Sequence, residues 1–192
     1  MKNNKLVIVG TGEFAKIAYE YFTYDSNYEV VAFSVHSDFI TETSLFNLPI
    51  VPLEKVRELY PINAYYIFVA IPATKLNRLR TQLYQEVKNM GYSLATYISS
   101  KAFVWRNAVI GENCFIFENN TVQPFVTIED NVILWSGNHI GHRTVIRKNA
   151  FITSHAVISG YCEIGMGSFV GVNATFNDKT SVPEDCIIGS GQ

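Results

Sequence analysis

The chain has 192 residues, of which 48% are hydrophobic, and its 15 basic and 17 acidic residues give a net charge of −2. This length suits one or two globular domains, and the scattered basic residues exclude the positive surface that nucleic-acid binding requires. No apolar run approaches the roughly 18 residues of a membrane span, and the N-terminal apolar run is too short for a signal-peptide core, so we expect a cytoplasmic protein.

The first hundred residues alternate apolar runs with helical patterns. Strands are predicted at residues 5–9, 29–34, 65–71 and 94–98, and helices near residues 53–59 and 74–90. A further helix follows the first strand and presents one apolar face, formed by Phe14, Ile17, Ala18, Tyr21 and Phe22. Alternating strands and helices indicate a small parallel sheet covered on both faces. We therefore predict a Rossmann-like α/β domain over residues 1–100.

A glycine turn joins the first strand to the first helix. Residues 10–15 read G-T-G-E-F-A, which matches the spacing of the dinucleotide fingerprint and lets backbone amides approach a phosphate. A nicotinamide enzyme would also place an acid at the end of the second strand, but Asp38 arrives late there. We predict a cradle for a nucleotide or nucleotide sugar, with a purely structural turn as the alternative. The candidate contacts are Gly10, Gly12, Glu13, Phe14 and His36.

From Ala102 to the C-terminus, large apolar residues recur at every sixth position. They are Val104, Ile110, Ile116, Val122, Ile128, Leu134, Ile140, Ile146, Ile152, Ile158, Ile164, Val170, Phe176, Val182 and Ile188. A small or medium-sized residue stands two positions before each of them. A period of six is typical of a hexapeptide solenoid, in which three hexads close one triangular coil of about 18 residues. The pattern predicts a parallel β-helix of about five coils over residues 101–192, and a β-sandwich, which would not hold a fixed period through its turns, is the alternative.

The three cysteines, Cys114, Cys162 and Cys186, all occupy the small position of the hexad. Their spacing matches no zinc motif. We therefore expect them to pack in the core, and we expect no metal.

Two of the four histidines lie close together, at His139 and His142. His142 stands two residues after the inward Ile140, which places it on the outer side of a corner, and Gly160 follows one coil later in the same phase. The backbone of Gly160 should therefore stack beside the imidazole and offer an amide to a reacting carbonyl. A neutral imidazole suits general-base catalysis, although a solvated corner residue is an equal alternative on this pattern alone.

The whole arrangement resembles the bacterial sugar acetyltransferases of the sialic acid O-acetyltransferase and UDP-4-amino-sugar N-acetyltransferase type. The resemblance implies a left-handed β-helix, a homotrimer, and acetyl-CoA bound between neighbouring solenoids. It implies acetylation of an amino or hydroxyl group of a sugar in surface-polysaccharide biosynthesis, with His142 as general base and Gly160 contacting the acetyl group. It also implies acetyl-CoA contacts at Phe151 and His155, and a substrate-orienting or interface position for His139.

The chain departs from this family at several positions. Phe151 stands where the family often has histidine, and Arg143 stands where an acid often follows the catalytic histidine. Glu163 or Asp178 could replace that acid. In the N-terminal domain, Val35-His36 replaces the acidic pair that follows the second strand.

Two other functions remain open from the sequence. A zinc hydratase of the γ-carbonic-anhydrase kind uses the same solenoid and three histidines across a subunit interface, and His139, His142 and His155 supply that number. Such enzymes lack an N-terminal glycine-turn domain. A non-catalytic trimeric scaffold that binds a sugar nucleotide is the third possibility.

Overall fold

The computed structural model describes residues 2–192 and divides into two units. The first unit comprises the chain up to Pro72 together with Gln82–Ala95, and the second comprises Ala73–Thr81 and Thr96–Gln192. No helix among the described residues is long and apolar enough to cross a membrane.

The first unit contains β1 (Asn4–Val9), α1 (Glu13–Tyr24), β2 (Tyr28–Val35), β3 (Ser44–Leu45), β4 (Leu48–Pro52), α2 (Val56–Leu59), β5 (Tyr65–Val69) and the part of α3 (Arg78–Asn89) from Gln82 onward. Its five strands form one sheet in the order β3-β4-β2-β1-β5. All of the pairings are parallel except the β3–β4 hairpin. Short 3₁₀ turns occupy Ser37–Phe39 and Leu53–Lys55.

The centre of this sheet is apolar because β1 pairs on both sides. Residues 6–9 of β1 are at most 1% exposed, and Phe14, Ala15, Ala18 and Phe22 of α1 are buried. The predicted α/β order is therefore confirmed. The β3–β4 hairpin was not predicted, because its turn, Phe46-Asn47, takes positive φ at both residues without the glycine that usually announces such a turn.

The strand predicted at residues 94–98 is wrong as a single element. Leu94 makes one isolated bridge to Ile67, whereas residues 97–98 pair with the second unit. The division falls at Thr96, whose hydroxyl donates to the Gly111 carbonyl (2.8 Å) and accepts from the Cys114 amide (3.1 Å). The solenoid thus begins a few residues before the position that the hexad pattern indicates.

The second unit is a left-handed parallel β-helix made of three sheets of two-residue strands. The first sheet contains β7 (Phe103–Val104), β10 (Thr121–Val122), β13 (His139–Ile140), β16 (Val157–Ile158) and β19 (Thr175–Phe176). The second contains β8 (Val109–Ile110), β11 (Thr127–Ile128), β14 (Val145–Ile146), β17 (Glu163–Ile164) and β20 (Ser181–Val182). The third contains β6 (Tyr97–Ile98), β9 (Phe115–Ile116), β12 (Ile133–Leu134), β15 (Phe151–Ile152), β18 (Phe169–Val170) and β21 (Ile187–Ile188).

The hexad pattern sets both the core and the register. Each strand pairs with the strand 18 residues away, and the second residue of each strand points inward. Cys114 and Cys162 are buried and unpaired, and Cys186 is partly buried against the same core, so the packing role predicted for the cysteines is confirmed.

Corner residues of the solenoid take left-handed backbone conformations and form columns with an 18-residue step. One column is an asparagine ladder, in which the Asn113 side chain donates to Asn131 and Asn131 donates to Asn149, both at 2.8 Å. Asparagine tolerates positive φ because its short amide bonds locally. Bulkier residues at such positions are less common, and Phe125, Arg143 and Tyr161 take them at φ 64°, 59° and 58°.

Candidate active site

His142 lies on the exposed corner between β13 and β14, as the hexad phase predicts. Its imidazole packs on Gly160, the equivalent residue of the next coil. A Cβ atom on Gly160 would lie 2.5 Å from Cε1 and 2.9 Å from Nε2 of His142. Only glycine leaves room for the ring in this position, so the predicted stacking is confirmed.

One aromatic ring contacts this imidazole, and the neighbouring Arg143 packs elsewhere. The Tyr161 ring meets the imidazole edge to face, with centroids 5.1 Å apart and an interplanar angle of 82°. The Arg143 guanidinium lies over the Phe125 ring, 4.6 Å from its centroid. Arg143 stands where the family often has an acid after the catalytic histidine. Its guanidinium is held on the ring of a residue one coil earlier.

The backbone amides at this corner already have acceptors. The His142 amide donates to the Gln123 side chain at 2.9 Å, and the Gly160 amide donates to Oδ1 of Asp178 at 2.7 Å. The Gly160 amide can reach an acetyl oxygen only when this carboxylate moves aside. Glu163 is engaged elsewhere, since it pairs with Arg147 at 2.7 Å.

The other two histidines of the solenoid lie in different places. His139 is an outward residue of the first sheet, between Thr121 and Val157 of the adjoining strands. His155 is exposed at another corner and packs against Gly137, where a Cβ atom would lie 2.5 Å from its Nδ1. Residues 2–192 contain no cluster of three or more histidine, cysteine or acidic side chains that could hold a metal ion.

Phe151 does not present its side chain as a surface contact for acetyl-CoA. It is 5% exposed, and it stacks on Phe169 with centroids 5.7 Å apart. The buried guanidinium of Arg80 lies 5.4 Å from its ring centroid. The aromatic ring that replaces the family's histidine is therefore a packing residue within the second unit.

The glycine turn of the first unit has one sterically required glycine. Gly10 has φ +121°, and a Cβ there would lie 2.8 Å from the Ala70 carbonyl oxygen, whereas a Cβ on Gly12 would touch nothing within 4 Å. Glu13 begins α1, and its carboxylate lies 3.7 Å from Lys16. Phe14 is 4% exposed and packs on Phe68, so its side chain belongs to the core and only its backbone can contribute to a cradle.

His36 is engaged by two carboxylates instead of being free for a ligand. Its Nδ1 lies 2.9 Å from Glu54 and its Nε2 lies 3.1 Å from Glu86. The hydrogen bond to Glu54 raises the pKa of His36, and the pKa of Glu54 falls to about 2 through backbone hydrogen bonds and the bond to His36. His36 therefore links the end of β2 to the 3₁₀ turn that contains Glu54 and to α3, which contains Glu86.

A small pocket of about 120 Å³ opens beside the glycine turn in the first unit. Its lining residues are Thr11, Lys16, Phe39, Ile40, Thr41, Glu42, Leu45 and Ile50. Sequence reasoning missed Lys16, although its position in the first turns of the helix after the glycine turn is a signal for a phosphate contact.

Comparison with known proteins identifies the repeat. A model of the bacterial transferase hexapeptide, six repeats long, matches residues 107–142. The chain carries the bacterial transferase hexapeptide repeat. The matched segment ends at His142, so this residue lies within the repeat and not in an appended loop.

Solved structures share the whole fold of this hexapeptide-repeat chain. The acetyltransferase domain of PglB from Neisseria gonorrhoeae is 26% identical with a TM-score of 0.85, and the match covers 98% of this chain and 90% of that one. The same domain has been solved with acetyl coenzyme A, at a TM-score of 0.86 and 25% identity over 98% and 89% of the two chains. PerB from Caulobacter crescentus, solved with CoA and GDP-perosamine, has the same fold at 23% identity and a TM-score of 0.85, over 98% and 87% of the chains.

A curated relative matches a shorter part of the chain. An acyl-[acyl-carrier-protein]–UDP-N-acetylglucosamine O-acyltransferase from Campylobacter concisus is 28% identical over 98 residues. The match covers 47% of this chain and spans 37% of that protein, little more than a third of its length.

Proposed function

We propose that this protein is an acetyl-CoA-dependent acetyltransferase that modifies an amino or hydroxyl group of a nucleotide-linked sugar in surface-polysaccharide biosynthesis. The observation that carries the proposal is the packing of the exposed His142 imidazole on Gly160, at a corner of a solenoid built like that of acetyltransferases. The solenoid, residues 101–192, would perform the transfer. Residues 1–100 would hold the acceptor.

His142 acts as the general base in this proposal. Its imidazole accepts the proton of the acceptor amine or hydroxyl while that nitrogen or oxygen attacks the thioester carbonyl carbon. The new C–N or C–O bond forms, the C–S bond breaks, and the imidazolium returns the proton to the departing CoA sulfur. A neutral imidazole can both accept a proton and return it, which suits both steps.

The Gly160 amide would stabilise the oxyanion that develops on the carbonyl oxygen. Because this amide donates to Asp178, the Asp178 side chain must rotate away when the thioester binds. Asp178 is exposed, so the rotation meets no packed core. The aspartate thus keeps the amide satisfied until the donor arrives.

The N-terminal cradle is the part of the proposal that concerns the acceptor. Gly12 is the N-cap of α1, and its neighbour Thr11 and the residue Lys16 line the pocket of about 120 Å³. Amides at a helix N-terminus and a lysine side chain both favour phosphate.

Three free cysteines support a reducing compartment, in agreement with the cytoplasmic location that we propose.

Substitution of His142 tests the proposal. We expect His142→Ala to lower the rate of acetyl transfer to an amino-sugar nucleotide by on the order of a hundredfold, since it removes the base but no core contact. His155→Ala is the comparison variant, because His155 is also an exposed corner histidine packed on a glycine; as an expected acetyl-CoA contact, it should affect the KM for acetyl-CoA and leave kcat near the parent value. Equal activity of the His142→Ala variant and the parent protein would falsify the assignment.

A second pair of variants tests the geometry. Gly160→Ala should displace the His142 ring and lower turnover, whereas Gly189→Ala, whose Cβ would meet only the Gln192 side chain at 3.3 Å, should leave turnover near the parent value. Circular dichroism of both variants checks that the solenoid remains folded. Parent-like turnover in the Gly160→Ala variant would contradict the role of His142.

A further inference from the structure

The corner that carries His142 holds three cations that form no ion pair among residues 2–192. We call this the His142 corner and define it by two adjacent columns with an 18-residue step. The first column is Arg106, Pro124, His142, Gly160 and Asp178, and the second is Asn107, Phe125, Arg143, Tyr161 and Lys179. The three unpaired cations are Arg106, Arg143 and Lys179, and all three are exposed.

The next corner of the same solenoid shows the opposite arrangement. Arg147 lies 2.9 Å from Glu129 and 2.7 Å from Glu163, and Lys148 lies 3.5 Å from Asp130. These cations are neutralised within the chain. At the His142 corner the one acid is Asp178, and its carboxylate accepts the Gly160 amide.

Arg143 is positioned to present a fixed set of donors. Its guanidinium lies on the Phe125 ring at 4.6 Å, which restrains the plane of the group and leaves the N–H groups at its edge free. Successive coils are about 4.8 Å apart, so Arg143 and Lys179 bracket Tyr161 beside the imidazole. Stacked arginine recognises carboxylate and phosphate oxygens through paired hydrogen bonds.

We propose that the His142 corner is a binding subsite for an anionic group of the acceptor, with Arg143 as its main contact and Lys179 and Arg106 at its sides. This inference rests on the proposed function, because it places the anion next to the group that is acetylated. The anion is a carboxylate on the sugar ring, because the proposed function assigns the phosphates to the cradle of the first unit. A carboxylate offers the guanidinium two oxygens for paired hydrogen bonds.

Binding of matched ligands to the full-length protein tests the subsite. UDP-glucuronic acid and UDP-glucose differ only in one carboxylate, and calorimetry in the presence of saturating CoA gives the affinity of each. We expect Arg143→Gln to weaken binding by on the order of tenfold, the size of one lost charge-assisted hydrogen bond. Weaker binding of UDP-glucuronic acid alone supports the carboxylate subsite, whereas equally weaker binding of both ligands assigns Arg143 to a group that they share and contradicts the subsite.

Two further variants serve as controls. Lys101→Gln removes a cation from a different corner of the solenoid and should leave both affinities unchanged. Arg143→Lys keeps the charge and should recover part of the affinity. Unchanged affinities in the Arg143→Gln variant, no measurable binding of either ligand to the parent protein, or a selective loss of CoA affinity would each overturn the subsite.

Turnover separates this inference from the proposed function. If the parent protein acetylates an amino-sugar nucleotide and Arg143→Gln leaves the acceptor KM unchanged, the subsite fails and the function stands. If no amino sugar is acetylated but UDP-glucuronic acid binds in an Arg143-dependent manner, the function fails and the subsite stands. We expect a tenfold rise in acceptor KM with little change in kcat or in the KM for acetyl-CoA.

Discussion

At the scale of single residues, His36 is bound on both sides by carboxylates. Glu54 and Glu86 each lie within 3.1 Å of one ring nitrogen, and the Ser37 amide donates to Glu54 at 3.2 Å. A protonated imidazole satisfies both acids at once. No other titratable side chain makes a hydrogen bond to His36 among the described residues.

This cluster predicts a pH-dependent contribution to stability. The pKa of His36 is raised above its ordinary value of 6.5, so its stabilisation is fully present below pH 6.5 and is lost as the pH rises through the raised value. The pKa of Glu54 is lowered from 4.5 to about 2, so its stabilisation is present above pH 4.5 and is lost as the pH falls toward 2. The melting temperature of the parent protein should therefore exceed that of His36→Gln most clearly between pH 4.5 and 6.5.

Thermal unfolding of both proteins across pH 4 to 9 measures this difference. Glu54→Gln is the matched control, because it removes only one of the two partners of His36. The difference in melting temperature between the parent protein and Glu54→Gln should be smaller than that between the parent protein and His36→Gln in the same pH window. A constant difference between the parent protein and His36→Gln at all pH values would show that the two ion pairs do not contribute.

Contacts of single residues could be predicted from the sequence where the six-residue period fixes the position of each residue in the coil. His142 and Gly160 are 18 residues apart, so their contact followed from counting, and the same step through Arg143 would have found Tyr161 and Lys179. The contact between His36 and Glu86 could not be predicted in this way, because the two residues are 50 positions apart and no sequence period relates them. Phe151 was assigned to acetyl-CoA by family resemblance, and Arg80, which covers it, comes from a distant helix.

At the scale of elements, the first turn of α3 is attached to the solenoid within the second unit. Nη2 of Arg80 donates to the carbonyls of Asn131, Asn149 and Ala150 at 2.9–3.2 Å. The Asn77 side chain donates to the Gly167 carbonyl at 2.9 Å. Arg80 is fully buried, and burial lowers its pKa to about 9.

Removal of the Arg80 side chain should destabilise the solenoid. Arg80→Ala leaves three carbonyls without their donor and opens a cavity beside Phe151, so we expect the free energy of unfolding to fall by about 3 kcal/mol. Urea denaturation measures the loss. Arg78→Ala, two residues earlier on the exposed face of the same helix, should change stability by less than about 0.5 kcal/mol.

Equal midpoints for the two variants would show that the Arg80 contacts contribute nothing. Arg80→Met separates charge from volume, because it fills much of the space without a donor. Recovery of stability in this variant would assign the loss to the cavity and not to the hydrogen bonds.

The elements that sequence reasoning predicted well are those with a strong period. The fifteen hexads predicted the position of every strand of the solenoid from β7 onward, because each strand contains one inward residue of the pattern. The start of α3 was less predictable. The pattern indicated a helix from residue 74, but Lys75, Leu76 and Asn77 take positive φ, and regular helix begins at Arg78. Asn77 reaches Gly167 from this left-handed turn, and such a long-range bond leaves no local signal.

At the scale of the whole molecule, the solenoid exposes an apolar surface that flanks the His142 corner. Four residues on or directly beside the two sheets that meet at this corner form this flanking surface, and they are 41–62% exposed: Phe103, Trp105, Val109 and Val157. Exposed apolar side chains beside a functional corner are typical of a protein interface. We expect three copies of the chain to associate through it, with acetyl-CoA between neighbours.

Sedimentation tests this association. The parent protein should sediment as three chains of 21.6 kDa each. Val157→Glu places a charge on the flanking surface and should shift the protein toward the monomer, with loss of the melting-temperature rise that acetyl-CoA produces. Ile187→Glu is the control, because Ile187 is 69% exposed on the outward side of the third sheet. A monomeric parent protein, or a trimer that persists in Val157→Glu, would contradict the assignment of this surface.

The corner columns also bear on how this solenoid could acquire new acceptors. Backbone hydrogen bonds and inward aliphatic residues hold the coils together, while the side chains of Arg143 and Lys179 contribute to neither. Replacing these two side chains should therefore change the free energy of unfolding little. A library that varies only Arg143 and Lys179 would sample acceptor charge and size while His142, Gly160 and the scaffold stay intact, which makes this chain a convenient starting point for engineered sugar acetylation.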